Sequence, residues 1–293
     1  MAKKKKNEKN KLTTSTSRLI LANAPIQPAL KFRIEEAYKA IRTNIMFSIM
    51  KQGCKIVVVT SSNPSEGKTT STVNLAVSIA QADQRVLLID GDLRKPKVHQ
   101  YFEVPNAPGL TNYLSDSISG KRTDLFSVIH PTAYENLSVL CSGSIPPNPA
   151  ELLGSELMSN FLKSVGKDFD YIIIDTPPIN VVSDALPLIR ESDGTVMVVR
   201  QNHTTHPDIQ RALSSLEFID AKIIGFIVNF VDSNSSGSYG KYGYKYKRGY
   251  GYGYGYGGYG YGYGYGYGSN KNSNLNINSG YGFNNKPQNL RND

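Results

Sequence analysis

Residues 55–80 read KIVVVTSSNPSEGKTTSTVNLAVSIA, and the first seven constrain the fold more than any other stretch. They are apolar and β-branched at almost every position, so a strand built from them has no polar face and is covered on both sides. A loop and a helical pattern follow at once. The same theme recurs in RVLLID (85–90), LSVLCS (137–142), YIIID (171–175), GTVMVVR (194–200) and IIGFIVNF (223–230), with helical patterns between them and another before them at 34–50. Alternation of such strands with helices makes the chain α/β, with a mostly parallel central sheet flanked by helices on both faces. Sheets of this kind bind ligands at the carboxyl ends of their strands.

At the first of those ends stands SSNPSEGKTT (61–70). Against the phosphate-loop pattern G-x-x-x-x-G-K-[ST], residues 62–69 fit except that Ser62 replaces the first glycine. Gly67 lets backbone N–H groups approach an anion at a helix N-terminus, Lys68 supplies a cation for β- and γ-phosphates, and Thr69 supplies a hydroxyl for Mg²⁺. Ser65, Glu66 and Thr70 complete the nucleotide contacts expected of the loop. Two further strand ends are acidic: LLIDGDLRKP carries Asp90 and Asp92, and YIIIDTPP carries Asp175. A single strand-end Asp is usually a cap or turn residue. Three around one phosphate loop predict a metal site and a proton acceptor, because Mg²⁺ is held by carboxylates together with phosphate oxygens and water. Thr69, Asp90 and Asp175 are the expected metal ligands. The neighbouring Arg94, Lys95 and Lys97 either stabilise transferred phosphate or meet acidic groups of a partner.

The formal charge of +9 does not mark a nucleic-acid binder. Residues 1–11 hold six lysines against one glutamate and residues 233–293 hold seven cations against one aspartate, which leaves the body slightly acidic. The basic leader at 1–28 is expected to be flexible, either solvated or set against an anionic membrane face. No apolar run reaches the ~20 residues of a membrane span, so membrane association is expected to come from a partner or from surface charge. Cys54 and Cys141 stand in no metal or redox spacing, which suits a reducing cytosol. A globular domain is expected at 29–232. From Ser233 the composition turns to Gly, Tyr, Asn and Ser, too poor in aliphatic side chains to offset chain entropy, and a disordered tail is expected. Fourteen of the nineteen tyrosines lie there. Nine of them alternate with glycine: Tyr250, Tyr252, Tyr254, Tyr256, Tyr259, Tyr261, Tyr263, Tyr265 and Tyr267. Taken alone, this tract is an association-prone low-complexity segment; beside a nucleotide site it is a row of phenolic acceptors.

As a set, SSNPSEGKTT, VLLIDGDLRKP and YIIIDTPP resemble the Walker A, Walker A′ and Walker B motifs of the bacterial tyrosine kinases that regulate capsular and exopolysaccharide production. The resemblance runs from about Ile34 to Val231 and extends to IPPNPAELLGS (145–155) and the tyrosine-rich tail. It implies a P-loop NTPase fold, ATP with Mg²⁺, and autophosphorylation of the tail within a ring of identical subunits. It also implies that Asp92 takes the phenolic proton, that Lys68 and Asp90 are further catalytic groups, and that Asn229 and the segment around Asn148 flank the adenine. The family's oligomer contact, E-x-x-R-x-x-R, falls on Glu36, Lys39 and Arg42. Two positions depart from the pattern. Ser65 stands where the loop commonly has glycine, and Lys39 replaces the middle arginine, keeping a charge but losing a bidentate fork. The partners implied are a membrane polysaccharide co-polymerase as activator, a cognate tyrosine phosphatase and other protein substrates, with no nucleic acid. The implied location is the cytoplasm, at the inner face of the membrane.

Two other readings stay open. A partitioning-type ATPase shares the sheet and the paired Asp motif, but its loop carries a lysine just after the first glycine position, where this chain has Asn63. A nucleotide-gated scaffold without catalysis is compatible with the serine-substituted loop.

Overall fold

The computed structural model describes residues 28–231; the lysine-rich leader and the tyrosine tract lie outside the described residues. Helix α1 (Pro28–Ser48) leads into β1 (Lys55–Ser61), the loop and α2 (Lys68–Ala80). Next come β2 (Val86–Asp90), α3 (Val98–Phe102), α4 (Leu110–Ile118), a 3-10 turn (Leu125–Val128), β3 (His130–Pro131) and β4 (Leu137–Leu140). The second half comprises α5 (Pro149–Leu153), α6 (Glu156–Val165), β5 (Tyr171–Asp175), α7 (Leu186–Glu191), β6 (Gly194–Arg200), α8 (His206–Glu217) and β7 (Ile223–Asn229). The seven strands form one sheet in the order β3-β4-β2-β5-β1-β6-β7, parallel except for β3.

Both faces of this sheet are covered, as the unbroken apolar runs require. Successive side chains of a strand point to opposite faces, and they divide accordingly. Val57 and Val59 join Leu88, Ile173 and Val198 in one buried cluster with Leu75 and Ile79 of α2, Ile45 of α1 and Ile49 just after it. Val58 joins Leu87, Ile174 and Met197 in another, closed by Leu114 of α4, Phe161 of α6 and Leu216 of α8. Each such side chain stabilises the fold by roughly 1.5–3 kcal/mol when fully buried. Helix α2 lies between the sheet and α1, and is buried almost all round.

Helix α1 begins at Pro28, earlier than its apolar period at 34 suggests, because proline at the first helical position fits the helical φ and lacks an N–H that would go unbonded there. The two-residue β3 ends in a proline, which suits only a sheet edge. No helix among the described residues is long and apolar enough to cross a membrane. The register places the site: Val59 of β1 and Asp90 of β2 both pair with Asp175 of β5, so three strand ends meet at one point of the sheet.

Candidate active site

The chain turns from β1 into α2 through two left-handed residues, Ser65 at φ 65° and Gly67 at φ 85°. A Cβ added at Gly67 would fall 2.0 Å from Asn229 Nδ2. Ser65 meets the same backbone demand with a Cβ in place, at a cost of about 1–2 kcal/mol. The neighbouring strands clamp the loop. Glu66 is wholly buried, and its carboxylate accepts from Asn63 N at 3.1 Å and from Thr204 Oγ1 at 2.6 Å. Arg200 Nη1 donates to the Ser65 carbonyl at 3.2 Å, and its guanidinium stacks on the Phe230 ring. Asn229 Nδ2 donates to the Glu66 carbonyl at 3.2 Å. Gly67 brings no side-chain cap to α2, so the first-turn N–H groups, which have no acceptor inside the helix, are left for an anion.

Lys68 occupies the centre. Its Nζ lies 2.9 Å from Asp175 Oδ1 and 3.9 Å from Asp92 Oδ2. Thr69 Oγ1 donates to Asp175 Oδ2 at 2.8 Å, and Thr72 Oγ1 donates to Oδ1 at 2.9 Å. Asp90 is wholly buried and turns to the backbone: Oδ2 accepts from Lys97 N and Val98 N, both at 2.9 Å, and Oδ1 accepts from Asp92 N at 3.2 Å. It thereby fixes the segment at 91–98. Burial and the charge of Asp175 push the Asp90 carboxyl well above the usual carboxylate range. Asp92 Oδ1 accepts from Lys95 N at 3.0 Å. Burial raises its carboxyl too, with Lys68 opposing, and a raised proton affinity suits a general base in a cleft.

The donor chemistry fits Mg²⁺. Among the described residues no three His, Cys, Asp or Glu side chains form a metal cage, whereas Mg²⁺ commonly uses one or two protein oxygens and completes its shell from phosphates and water. Thr69 Oγ1 and Asp175, already in contact, are such a pair. Around them opens a cleft of about 610 Å³, whose lining includes Ser65, Gly67, Asp92 and Tyr101, with Pro177 and Val181 on the apolar wall. That volume suits a small-molecule ligand.

The other expected residues fall as follows. Thr70 lines the cleft, its hydroxyl 2.7 Å from that of Tyr101. The side chains of Glu66 and Asn229 bond to the loop and its supports. Asn148 bonds to Glu151 and is not part of the cleft lining. Arg94 clasps Asp184 through Nε at 2.5 Å and Nη2 at 3.1 Å, which ties the segment after β2 to that after β5. In α1, Glu36 and Lys39 pair with each other at 2.8 Å, while Arg42 Nη1 donates to the Ser78 carbonyl of α2 at 2.6 Å. The tail tyrosines lie outside the described residues. Burial pushes the Cys54 thiol up to about 11 and that of Cys141 to about 12, so neither presents a thiolate near neutrality. Sequence reasoning missed Thr72, Arg200 and Thr204. Thr72 stands four residues after Lys68 on α2, a spacing that shares a helix face; nothing local marks the other two.

Residues 54–223 match the AAA domain family. Tyrosine-protein kinase YwqD of Bacillus subtilis (strain 168) is 40% identical over 210 residues, 72% of this chain and 86% of that protein. Among solved structures, the chimerical protein CapA2B2 superposes with a TM-score of 0.65 at 35% identity, covering 72% of this chain and 89% of its own. The kinase domain of Escherichia coli tyrosine kinase ETK gives 0.63 at 36% identity, covering 72% and 80%. The matched span contains the loop and both acidic strand ends, and identity of this order over most of both chains turns the resemblance into membership: the chain belongs to the bacterial tyrosine kinase family.

Proposed function

We propose that the protein is an ATP- and Mg²⁺-dependent protein-tyrosine kinase that phosphorylates its own C-terminal tyrosine tract, one subunit of a ring acting on the next, and so regulates polymerisation and export of a capsular or exopolysaccharide. The observation that carries this reading is the placement of Lys68 between Asp175 and Asp92 at the mouth of an uncapped helix. Phosphoryl transfer needs mainly positioning and charge neutralisation. Lys68 and the first N–H groups of α2 hold the β- and γ-phosphates. Thr69 and Asp175 would hold Mg²⁺, with Asp90 acting through water, and the bound ion would neutralise phosphate charge.

A tyrosine hydroxyl has a pKa of about 10, so near neutrality it needs a proton acceptor. Asp92 takes that proton as the phenolic oxygen bonds to the γ-phosphorus and the bond from phosphorus to the β–γ bridging oxygen breaks, releasing ADP. A membrane polysaccharide co-polymerase serves as activator and brings the protein to the inner face of the membrane; a tyrosine phosphatase reverses the modification, and other proteins are further substrates.

The test is incubation of the full chain with its activator, Mg²⁺ and labelled ATP, followed by phosphotyrosine detection, with Lys68→Met in parallel. Label on tail tyrosines that is lost both in the variant and on chelation with EDTA is the expected result. ATP binding or hydrolysis without any phosphotyrosine would overturn it.

A further inference from the structure

Lys95 and Lys97 have no part in the mechanism above. Their segment is tied down at the backbone: Asp92 accepts from Lys95 N, and Asp90 accepts from Lys97 N and Val98 N. Arg94 is neutralised by Asp184. Lys95 and Lys97 are exposed, line the cleft with Asp92, and have no carboxylate within ion-pair distance among the described residues. Two uncompensated cations therefore stand on a fixed turn beside the group expected to receive the phenolic proton. The charge of Lys97 is felt at Asp92, whose carboxyl it lowers against the larger effect of burial.

We propose that Lys95 and Lys97 form an anion-selective subsite for the acceptor segment, which disfavours tyrosines flanked by cations and favours those with a phosphotyrosine or carboxylate neighbour. This rests on the reading of the tail as substrate. The tail sorts into two classes on that criterion. Tyr242, Tyr244 and Tyr246 are interleaved with Lys241, Lys245, Lys247 and Arg248, whereas the nine tyrosines from Tyr250 to Tyr267 are separated only by glycine. A chain spans at most about 3.6 Å per residue, so the Cα atoms of tyrosines two apart are no more than about 7 Å from each other. A phosphate on one falls within reach of the two lysines while the next occupies Asp92. Each phosphate adds about −1.5 to −2 charges at pH 7, so modification starts in the glycine-separated tract and each event recruits the adjacent acceptor.

The experiment is time-resolved site mapping by mass spectrometry on the full chain with activator, ATP and Mg²⁺. It compares wild type, Lys95→Gln with Lys97→Gln, and a third protein with Lys241, Lys245, Lys247 and Arg248 all changed to Gln. Wild type is expected to label Tyr250–Tyr267 about fivefold faster than Tyr242–Tyr246, the upper end of the effect of a single exposed charge pair, with multiply modified tails appearing early. Either variant brings that ratio below about twofold, with the KM for ATP unchanged. The same ratio in the double lysine variant as in wild type overturns the proposal, as does a raised KM for ATP without a change in ratio, which assigns the lysines to the nucleotide. Absence of phosphotyrosine in all three proteins overturns the kinase reading itself.

Discussion

Asp92 and Asp175 share the ammonium of Lys68 unequally, at 3.9 and 2.9 Å, and this inequality fits the different roles proposed for them. Asp175 is held close to Lys68, Thr69 and Thr72, while Asp92 keeps Oδ2 free of a close donor and a carboxyl raised by burial. As the proposed base, Asp92 works only when unprotonated, so activity should rise with pH through its folded pKa, and that limb should lie above the ordinary carboxylate value of about 3.9. Asp92→Asn should lower kcat by about 10²–10⁴-fold and abolish the limb while ATP still binds; a pH–rate profile and a nucleotide titration check both. Ser65 presents a different case. Its φ of 65° strains a residue with a Cβ, so Ser65→Gly should raise stability by up to about 1 kcal/mol, part of the relief being offset by unfolded-chain entropy. Denaturant unfolding measures it.

The loop between β1 and α2 keeps its shape because elements far along the chain grip it. Glu66 is the clearest instance, a buried carboxylate held by Asn63 from one side and by Thr204, beyond β6, from the other. Thr204→Val keeps the volume and removes the donor, leaving a buried carboxylate short of a partner at a cost of roughly 1–3 kcal/mol. Both the unfolding midpoint and ATP affinity should fall, as read by urea denaturation and calorimetric titration. This grip explains what is legible from sequence. The strands are, because Val57, Val58 and Val59 are apolar toward both faces; so are Lys68, Thr69 and the strand-end carboxylates, because their chemistry is fixed by short local spacing. The grip of Thr204 and Arg200 is not, because a Thr and an Arg in a turn have no pattern of their own and gain meaning only from the β1–β6 pairing. Asp90 is legible as an acid at a strand end, but its three backbone donors, Asp92, Lys97 and Val98, depend on how the next segment folds back. Helices α3, α5 and α7, at five or six residues, are too short for a 3.6-residue period to register.

Over the whole molecule, charge is divided against itself. Residues 233–293 hold seven cations and one acid, whereas the body between residue 11 and that tail is slightly acidic. In the proposed ring, unmodified tails are therefore expected to attract the bodies of neighbouring subunits. Each phosphotyrosine adds about −1.5 to −2 charges at pH 7, so about four of them would reverse the sign of a tail that carries six net positive charges, and fourteen tyrosines stand there. In the ring proposed above, like-charged tails would then repel each other and the acidic bodies, so phosphorylation should dissociate the subunits and make the reaction self-limiting. Size measured by light scattering before and after ATP treatment should fall. Raising ionic strength toward 1 M, where the screening length shrinks to about 3 Å, should reproduce part of that fall without ATP. A particle whose mass changes under neither condition excludes tail charge as the force that holds the subunits together.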